Sequence, residues 1–336
     1  RARAAASEAG PQGSSAAEWL LDNDYHVQRA VLQIRQDLPP NFYRKLPGIS
    51  GEIMHGQPRM HDIAHALLRA TRLQVTFSSA VQFLQAYQET MPLSIAEVWA
   101  FPTMLRLACL ELLISGFSAL FPEVEAPPTT PIAPLDTSET ERVARGIANL
   151  AIISGIQWKD VFDQTSQVEA ILRRDPAGIY AKMDFDTRDK YRRAIERLAE
   201  RARLPEWDVA ERVLHHCHSE SDLPTGHVGF WLVDDGRARF EDAIDSRPLA
   251  LETLARRILR YPGTLYALGL FLAALPSFII PSLYLLYLDA SPGLWLCGLL
   301  FSVVPASMLS ITLVNWLVTL LVKPRTLPKL DFETGI

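Results

Sequence analysis

Two long segments without a charged residue constrain the fold of this chain most strongly. They are residues 264–288, which number 25, and residues 293–322, which number 30. A bilayer core about 30 Å thick is crossed by about 20 helical residues. The alternative, a pair of buried core helices, seldom runs so long without a charge. Both segments are therefore predicted to span a membrane, with some tilt or overhang.

The connector between the two segments, residues 289–292, is long enough only for a turn. The spans are therefore predicted to form a hairpin whose two flanks face the same side. Positive residues lie on both flanks and are missing from the connector: Arg256, Arg257 and Arg260 before the first span, and Lys323, Arg325 and Lys329 after the second. The positive-inside rule then places both flanks in the cytoplasm.

Residues 16–245 are predicted to form a cytoplasmic α-helical domain, because their apolar residues recur mostly at steps of three and four. The best strand candidate, residues 227–240, also fits helical spacing. The predicted fold is mostly α, a multi-helix domain followed by a two-span transmembrane hairpin within residues 250–323. Residues 1–15 are expected to be a disordered lead-in, residues 121–137 a proline-rich linker, and residues 324–336 a linker to a further domain.

Two local signals predict how the helices begin. Pro102 lies inside a long helical pattern, so a new helix start or a kink is expected there. Ser138 and Glu141 have the spacing of a capping box. Residues 16–38 read as one helix stopped by Pro39 and Pro40.

Composition excludes some classes of function. The net charge of −5 argues against a general nucleic-acid binder. Three distant cysteines, Cys109, Cys217 and Cys297, predict no disulfide framework and fit a reducing compartment. Because the first residue is arginine, the chain is expected to be a fragment or a processed product.

Two histidine clusters raise the question of a metal site. His61 and His65 are one helical turn apart, as in a zinc-binding HExxH pattern, but Asp62 stands where the glutamate base belongs. Spacing shows no third ligand, although His55 is nearby, so a polar helix face is favoured. In the run from His215 to His218, adjacent residues point in different directions, so they cannot all reach one ion and two ligands at most could cooperate. No metal site is predicted.

Acidic residues crowd the stretch from 175 to 202. Asp184 and Asp186 stand at a predicted helix start, where carboxylates cap free amides, and Asp189 and Arg193 have the spacing of an ion pair. These acids, like the pair Asp234 and Asp235, can also act as metal ligands or as acid and base. The favoured interpretation is structural, with a binding or regulatory role left open.

Five blocks together resemble one known family. They contain "AAEWLLDNDYHVQRAVLQIRQDLPPNFYRKLP", "VWAFPTMLRLACLE", "DPAGIYAKMDFDTRDKYRRAIERLA", "HVGFWLVDDGR" and "VPASMLSITLVNWLVTLLVKPRTLPKLDFETGI", in that order from residue 16 to the end. The chain resembles the cyclic β-1,2-glucan synthases, large bacterial inner-membrane glucosyltransferases. The resemblance implies a parent enzyme that builds β-1,2-glucan from UDP-glucose on the protein itself and then closes the ring.

The same resemblance implies that the glycosyltransferase module begins just after this chain, followed by cyclisation and phosphorylase-like domains. Its nucleotide-binding aspartates, metal-binding acid and acceptor motif have no counterpart here, so no catalytic or cofactor-binding residue is assigned. The parent enzyme is expected to use Mg or Mn with UDP-glucose.

The expected role is therefore scaffold and membrane anchor, in contact with the lipid bilayer and with the growing glucan. The candidate glycan or regulatory contacts are Trp99, Tyr180, Asp184, Asp186 and Arg188. Two other roles stay open: an autonomous membrane enzyme acting on glycans through Asp184, Asp186 and Asp234, and a regulatory or oligomerisation module.

Overall fold

A computed structural model of the protein describes residues 15–48, 57–122, 137–219, 224–247, 253, 260–322 and 327–331. This part of the chain contains fifteen α-helices, one 3-10 turn and no strand, which confirms the mostly α fold class. The predicted lead-in, most of the proline-rich linker, His55 and the flanking charges Arg256, Arg257, Lys323 and Arg325 lie outside the described residues.

The chain divides after Phe240 into two units. The described helices of the first unit are α1 (Ser15–Asp22), α2 (Asp24–Asp37), α3 (Pro40–Tyr43), α4 (Arg59–Ala70), α5 (Phe77–Gln88), α6 (Ile95–Leu120), α7 (Glu139–Gly155), α8 (Trp158–Thr165), α9 (Gln167–Leu172), α10 (Phe185–Ala202), α11 (Glu206–Ser219) and α12 (Val228–Val233). Helix α13 (Arg237–Ala243) crosses the boundary, and the 3-10 turn is Tyr180–Lys182.

Helix α6 is the central helix of the first unit. Helices α2, α4, α7 and α8 pack against it, and its side chains are buried on almost every face. Its first turn is fixed by a capping box, in which Ser94 accepts a hydrogen bond from the amide of Glu97 and the Glu97 carboxylate accepts one from the amide of Ser94. The helix is therefore held at its start by local chemistry and along its length by packing.

Of the two alternatives predicted at Pro102, a new helix start is wrong, because α6 runs through this residue without interruption, and a kink stays a prediction. A proline inside a helix removes one backbone hydrogen bond, at a cost of about 3 kcal/mol. Pro102 and its neighbours Phe101 and Thr103 are all buried. Burial of apolar surface on all sides of α6 offsets the missing hydrogen bond.

Two further differences from the sequence prediction concern helix boundaries. The first predicted helix is interrupted at Asn23, whose side-chain amide donates to the carbonyl of Trp19 at 2.9 Å. The strand candidate forms helices α12 and α13 instead. Val228, Trp231 and Leu232 are buried on one side of α12, so helical spacing decided the structure of this short apolar run.

Helices α6 and α7 pack closely through glycine. A methyl group on Gly116 would lie 2.8 Å from the carbonyl oxygen of Glu139, and one on Gly146 would lie 3.0 Å from Cβ of Leu113. Ser138 caps α7 as predicted by accepting from the amide of Glu141 at 3.2 Å. Close approach of these two backbones therefore requires the small residues.

The second unit contains α14 (Pro262–Tyr287) and α15 (Pro292–Leu321), which pack against each other. Ala306, Ser310 and Val314 form the buried stripe of α15, and the hydroxyl of Tyr266 donates to Oδ1 of Asn315 at 3.0 Å. Most large apolar side chains of this pair are exposed, for example Phe271 at 63% and Leu300 at 63%. The pair thus presents to its surroundings the apolar surface that a bilayer would cover.

Three described helices are long and apolar enough to cross a membrane: α6, α14 and α15. Helix α6 differs from α14 and α15 in how much of its surface is buried. In the most apolar window of each, 61% of α6 is buried, against 0% of α14 and 17% of α15. Helix α6 also carries Glu97, Arg106 and Glu111, so its apolar surface serves the core of the first unit.

Gly116→Ala is expected to destabilise the first unit by about 1–3 kcal/mol, because the added methyl group meets a backbone carbonyl that cannot move freely. Gly155→Ala is the matched control, since Gly155 ends α7 with no atom within 4 Å of the added methyl group. Thermal unfolding followed by circular dichroism checks both variants. Equal melting temperatures for the two would contradict the close packing of α6 and α7.

Candidate functional site

A cleft of about 620 Å³ lies where the first turns of α6 and α10 meet. The capped first turns of two helices form part of the wall of this cleft. Ser94 caps α6, and Asp184 caps α10 by accepting from the amide of Thr187 at 2.8 Å. Residues lining the cleft include Asn41, Phe42, Lys45, Trp99, Phe185, Asp186, Asp189, Arg193 and Glu196.

Trp99 supplies the aromatic wall of this cleft. Its ring stacks on Phe162 with centroids 4.7 Å apart and meets Phe185 edge-on at 5.9 Å. The indole is half-buried, so its orientation is fixed by two neighbouring rings while part of it stays accessible. A fixed, partly exposed aromatic ring is suited to stacking on an apolar or sugar face.

Charged and polar groups surround the aromatic wall. Asp186 is exposed, and Asp189 forms the predicted ion pair with Arg193, with Oδ2 and Nη2 2.8 Å apart. Lys45 and Glu196 line the cleft as well. The cleft thus combines hydrogen-bond donors and acceptors with an aromatic surface, which is the chemistry of a polyhydroxylated ligand.

A buried ion network lies beneath the cleft wall and is centred on Glu169. The Glu169 carboxylate accepts from Nη1 of Arg192 at 2.8 Å, from the hydroxyl of Tyr180 at 2.7 Å and from Nε of Arg173 at 2.9 Å, and it also pairs with Arg188. Asp163 lies 2.9 Å from Arg188 and 3.0 Å from Arg173. Helices α8, α9 and α10 and the 3-10 turn are joined through these contacts.

The arginines of the network also support the aromatic residues. The guanidinium carbon of Arg192 lies 4.7 Å from the centroid of Phe162 and 4.5 Å from that of Phe185. A desolvated cation over an aromatic face is stabilising. The rings that hold Trp99 are therefore held in turn by Arg192.

Burial and the neighbouring charges shift the pKa values of Glu169, Asp163 and Tyr180. Burial raises the pKa of Glu169, but Arg192 and Arg188 outweigh it and the pKa is lowered overall. Burial and the nearby Glu169 charge raise the pKa of Asp163. Burial and the Glu169 carboxylate also raise the pKa of Tyr180, which stays protonated and donates. The carboxylate of Glu169 is thus the anion around which the others are arranged.

Asp175 connects the loop after α9 to the start of α12. Its carboxylate accepts from the amides of Ile179, Tyr180 and Val228 at 3.1, 3.2 and 3.1 Å, and it lies 2.8 Å from Nδ1 of His227. Burial raises the pKa of Asp175, but the hydrogen bond and charge of His227 lower it overall. The sequence blocks at 175–199 and 227–237 therefore meet at this aspartate.

The five predicted contact residues fall into three places. Trp99 and Asp186 line the same cleft. Tyr180 and Arg188 are buried in the ion network, where the Tyr180 hydroxyl and Nη1 of Arg188 donate to Glu169. Asp184 caps α10. Glu169 and Asp163, which organise the site, were missed because a single acid within an amphipathic helix carries no signal of its partners.

A third cluster joins α4 to α6. Nε2 of His61 and Nε2 of His65 lie 2.9 and 2.6 Å from the same oxygen, Oε2 of Glu111, and 3.3 Å from each other. Burial raises the pKa of Glu111, but its hydrogen bonds with the two histidines lower it to about 2. Sequence spacing shows no third ligand, because Glu111 is 50 residues from His61 and reaches the pair only through the packing of α6 on α4.

The other histidine cluster does not converge in the described structure. Nδ1 of His216 bonds the carbonyl of Arg212 at 2.9 Å, and Nδ1 of His218 bonds that of Leu214 at 2.8 Å. Cys217 is buried, and burial raises the pKa of its thiol to about 12. His216 packs against Trp231 and Phe240, whereas His215 and His218 line one pocket, so the run does not bring all its histidines together.

A second cleft of about 560 Å³ adjoins the first and shares Lys45, Ala96 and Glu196 with it. Glu206 lines this cleft and accepts from the amide of Ile95 at 2.6 Å. Burial raises the pKa of Glu206 to about 7, with smaller contributions from Glu196 and Glu97. Glu206 therefore titrates near neutral pH.

Comparison with known proteins now bears on the site. No protein-family model matches the chain. The chain is 27% identical over 415 residues to the cyclic β-(1,2)-glucan synthase NdvB of Rhizobium meliloti (strain 1021), in an alignment that covers 100% of this chain. The chain is similar to a cyclic glucan synthase. This similarity confirms the resemblance carried by the sequence blocks, and the chain spans 14% of the length of NdvB.

Glu206→Gln is expected to flatten the pH dependence of stability. Because the folded pKa of about 7 lies above the ordinary 4.5, the folded state favours the protonated acid. The stability contributed by the protonated Glu206 is fully present below pH 4.5 and is lost as the pH rises through 7, by about 3 kcal/mol.

The measurement is unfolding at pH 5 and pH 8 for the wild type, Glu206→Gln and the control Glu200→Gln. Glu200 is exposed on the same cleft. We expect the first variant alone to be stabilised at pH 8 relative to the wild type. An unchanged pH dependence in Glu206→Gln would contradict the assignment.

Proposed function

We propose that this chain is the N-terminal scaffold and membrane-anchor region of a membrane-bound glucosyltransferase that makes cyclic β-1,2-glucan from UDP-glucose. The observation that carries the proposal is the similarity to NdvB along the whole chain, together with two packed helices whose apolar surface is exposed. The helical unit and the hairpin then have distinct tasks, one in holding the enzyme together and one in fixing it to the bilayer.

The proposed location is the bacterial inner membrane, with both flanks of the hairpin in the cytoplasm. Positive charge on both flanks supports this orientation, and so does the short connection between α14 and α15, residues 288–291. The chain would then re-enter the cytoplasm at the end of α15. A glycosyltransferase domain starting there would face the compartment that supplies UDP-glucose.

The partners proposed for this region are the lipid bilayer and the downstream glycosyltransferase, cyclisation and phosphorylase-like domains of the same protein. The Mg or Mn ion expected with UDP-glucose belongs to that glycosyltransferase domain. No catalytic role is proposed for this chain by itself.

The cleft beside Trp99 is proposed to hold the growing β-1,2-glucan. A glucan presents apolar ring faces edged by hydroxyl groups. The Trp99 ring is suited to the faces, and Asp186, Asn41 and Arg193 are suited to the hydroxyls. Tyr180 and Arg188 would act indirectly, by holding Phe185 and the start of α10 in place.

Trp99→Ala and Asp186→Asn are each expected to lower glucan elongation by the full-length synthase roughly three- to tenfold, since each removes one ligand contact. Elongation is measured as transfer from UDP-glucose at equal enzyme level in membranes. The loss should appear mainly as weaker use of added glucan acceptor.

Matched controls exist for both variants. Trp19→Ala removes an indole that is 46% exposed on α1, away from the cleft, and Asp160→Asn removes an acid from the first turn of α8. Both controls should elongate normally. Elongation unchanged in Trp99→Ala and Asp186→Asn would reject the cleft as a glucan site, and turnover of UDP-glucose by this chain alone would favour the autonomous-enzyme alternative over the scaffold.

A further inference from the structure

Three metal-binding side chains converge inside the first unit, apart from the proposed glucan cleft. His61 and His65 lie one turn apart on α4, and Glu111 comes from the facing surface of α6. The two imidazoles are almost fully buried, with side-chain exposures of 3% and 2%, and Glu111 is 16% exposed. The cluster is therefore enclosed by protein and open only beside the glutamate.

The spacing of the three ligand atoms suits one small ion. The two Nε2 atoms are 3.3 Å apart, and both lie within 2.9 Å of the same carboxylate oxygen. A point about 2.0–2.1 Å from all three atoms, which is the ligand distance of zinc, exists on either side of their plane. Two imidazoles and a carboxylate form a set that zinc prefers.

Hydrogen bonding alone leaves this cluster incompletely satisfied. For both imidazoles to donate to Glu111, each must carry its proton on Nε2, and each Nδ1 is then a bare lone pair. Both Nδ1 atoms are buried without a hydrogen-bond partner. Two orphaned acceptors in one buried cluster are costly, and most buried polar atoms have partners.

Metal binding through Nε2 changes the state of Nδ1. Each Nδ1 then carries the proton, and the one on His61 faces Oδ1 of Asp62 at 3.8 Å. The Asp62 side chain is 44% exposed, and Nδ1 of His65 has no hydrogen-bond partner among the described residues. A carboxylate behind a metal-bound imidazole is the common outer arrangement of zinc sites.

We propose that His61, His65 and Glu111 bind one zinc ion, with the fourth position open to water on the Glu111 side. Asp62 lies beside Nδ1 of His61, on the far side of the ring from the ligand atoms, so it cannot serve as base to a metal-bound water. The proposed ion joins α4 to α6, the central helix of the unit.

The test is metal content of the purified chain after chelator treatment and dialysis against limiting Zn²⁺. The wild type should retain one zinc per chain, bind Co²⁺ with the visible absorption of a tetrahedral site, and melt at a higher temperature with zinc than without. His65→Ala should lose all three effects. Glu111→Gln keeps the side-chain volume and should weaken zinc binding by more than about tenfold.

The double variant His215→Ala/His218→Ala is the matched control, because it removes two histidines from α11 that do not belong to this cluster. It should bind zinc as the wild type does. Far-ultraviolet circular dichroism establishes that each variant is folded, and Glu111→Gln stands in if His65→Ala is not. Substoichiometric zinc in the wild type, zinc content unchanged in folded Glu111→Gln, or uptake of Fe²⁺ in preference to Zn²⁺ and Co²⁺ would overturn the proposal.

Discussion

The carboxylate of Glu169 is fully buried and accepts hydrogen bonds from Tyr180 and three arginines, Arg173, Arg188 and Arg192. Asp163 also pairs with Arg188, and Asp189 lies 3.6 Å from Arg192. A buried charge that loses its partner costs about 3–5 kcal/mol, so the three helices and the turn that meet here cannot separate without leaving charges unpaired. Local packing of α8, α9 and α10 depends on this one anion.

The proposed glucan cleft follows from the network. Arg192 holds Phe162 and Phe185, these rings hold Trp99, and Asp184 fixes the first turn of α10, which carries Asp186. Asp175 adds the start of α12 to the same assembly. These contacts join three of the sequence blocks that resemble glucan synthases within the first unit. The blocks are residues 98–111, 175–199 and 227–237. Their similarity to NdvB and their mutual packing are consistent with a scaffold that is folded as one piece.

Much of the fold was readable from sequence, because local chemistry decided it. The cap at Ser138, the ion pair of Asp189 with Arg193 and the two long apolar helices all follow from spacing or composition alone. The helix start predicted as one alternative at Pro102 does not occur, because burial on every side of α6 outweighs the local preference of proline. Glu111 and Glu169 were missed because their partners come from distant helices, 46 residues away for His65 and 23 for Arg192. Both clusters are formed by packing between distant helices, and no local sequence motif indicates them.

The central claim is that this chain anchors a glucan synthase with its helical unit and both hairpin flanks in the cytoplasm. It rests on the apolar surface of α14 and α15 and on the charges beside them. The direct measurement inserts a reporter that is active only outside the cytoplasm between Asp289 and Pro292, with a second copy placed after residue 336 as the control. The account predicts activity at the turn and none after residue 336. A silent turn, with the reporter intact and located in the cytoplasm, would contradict it.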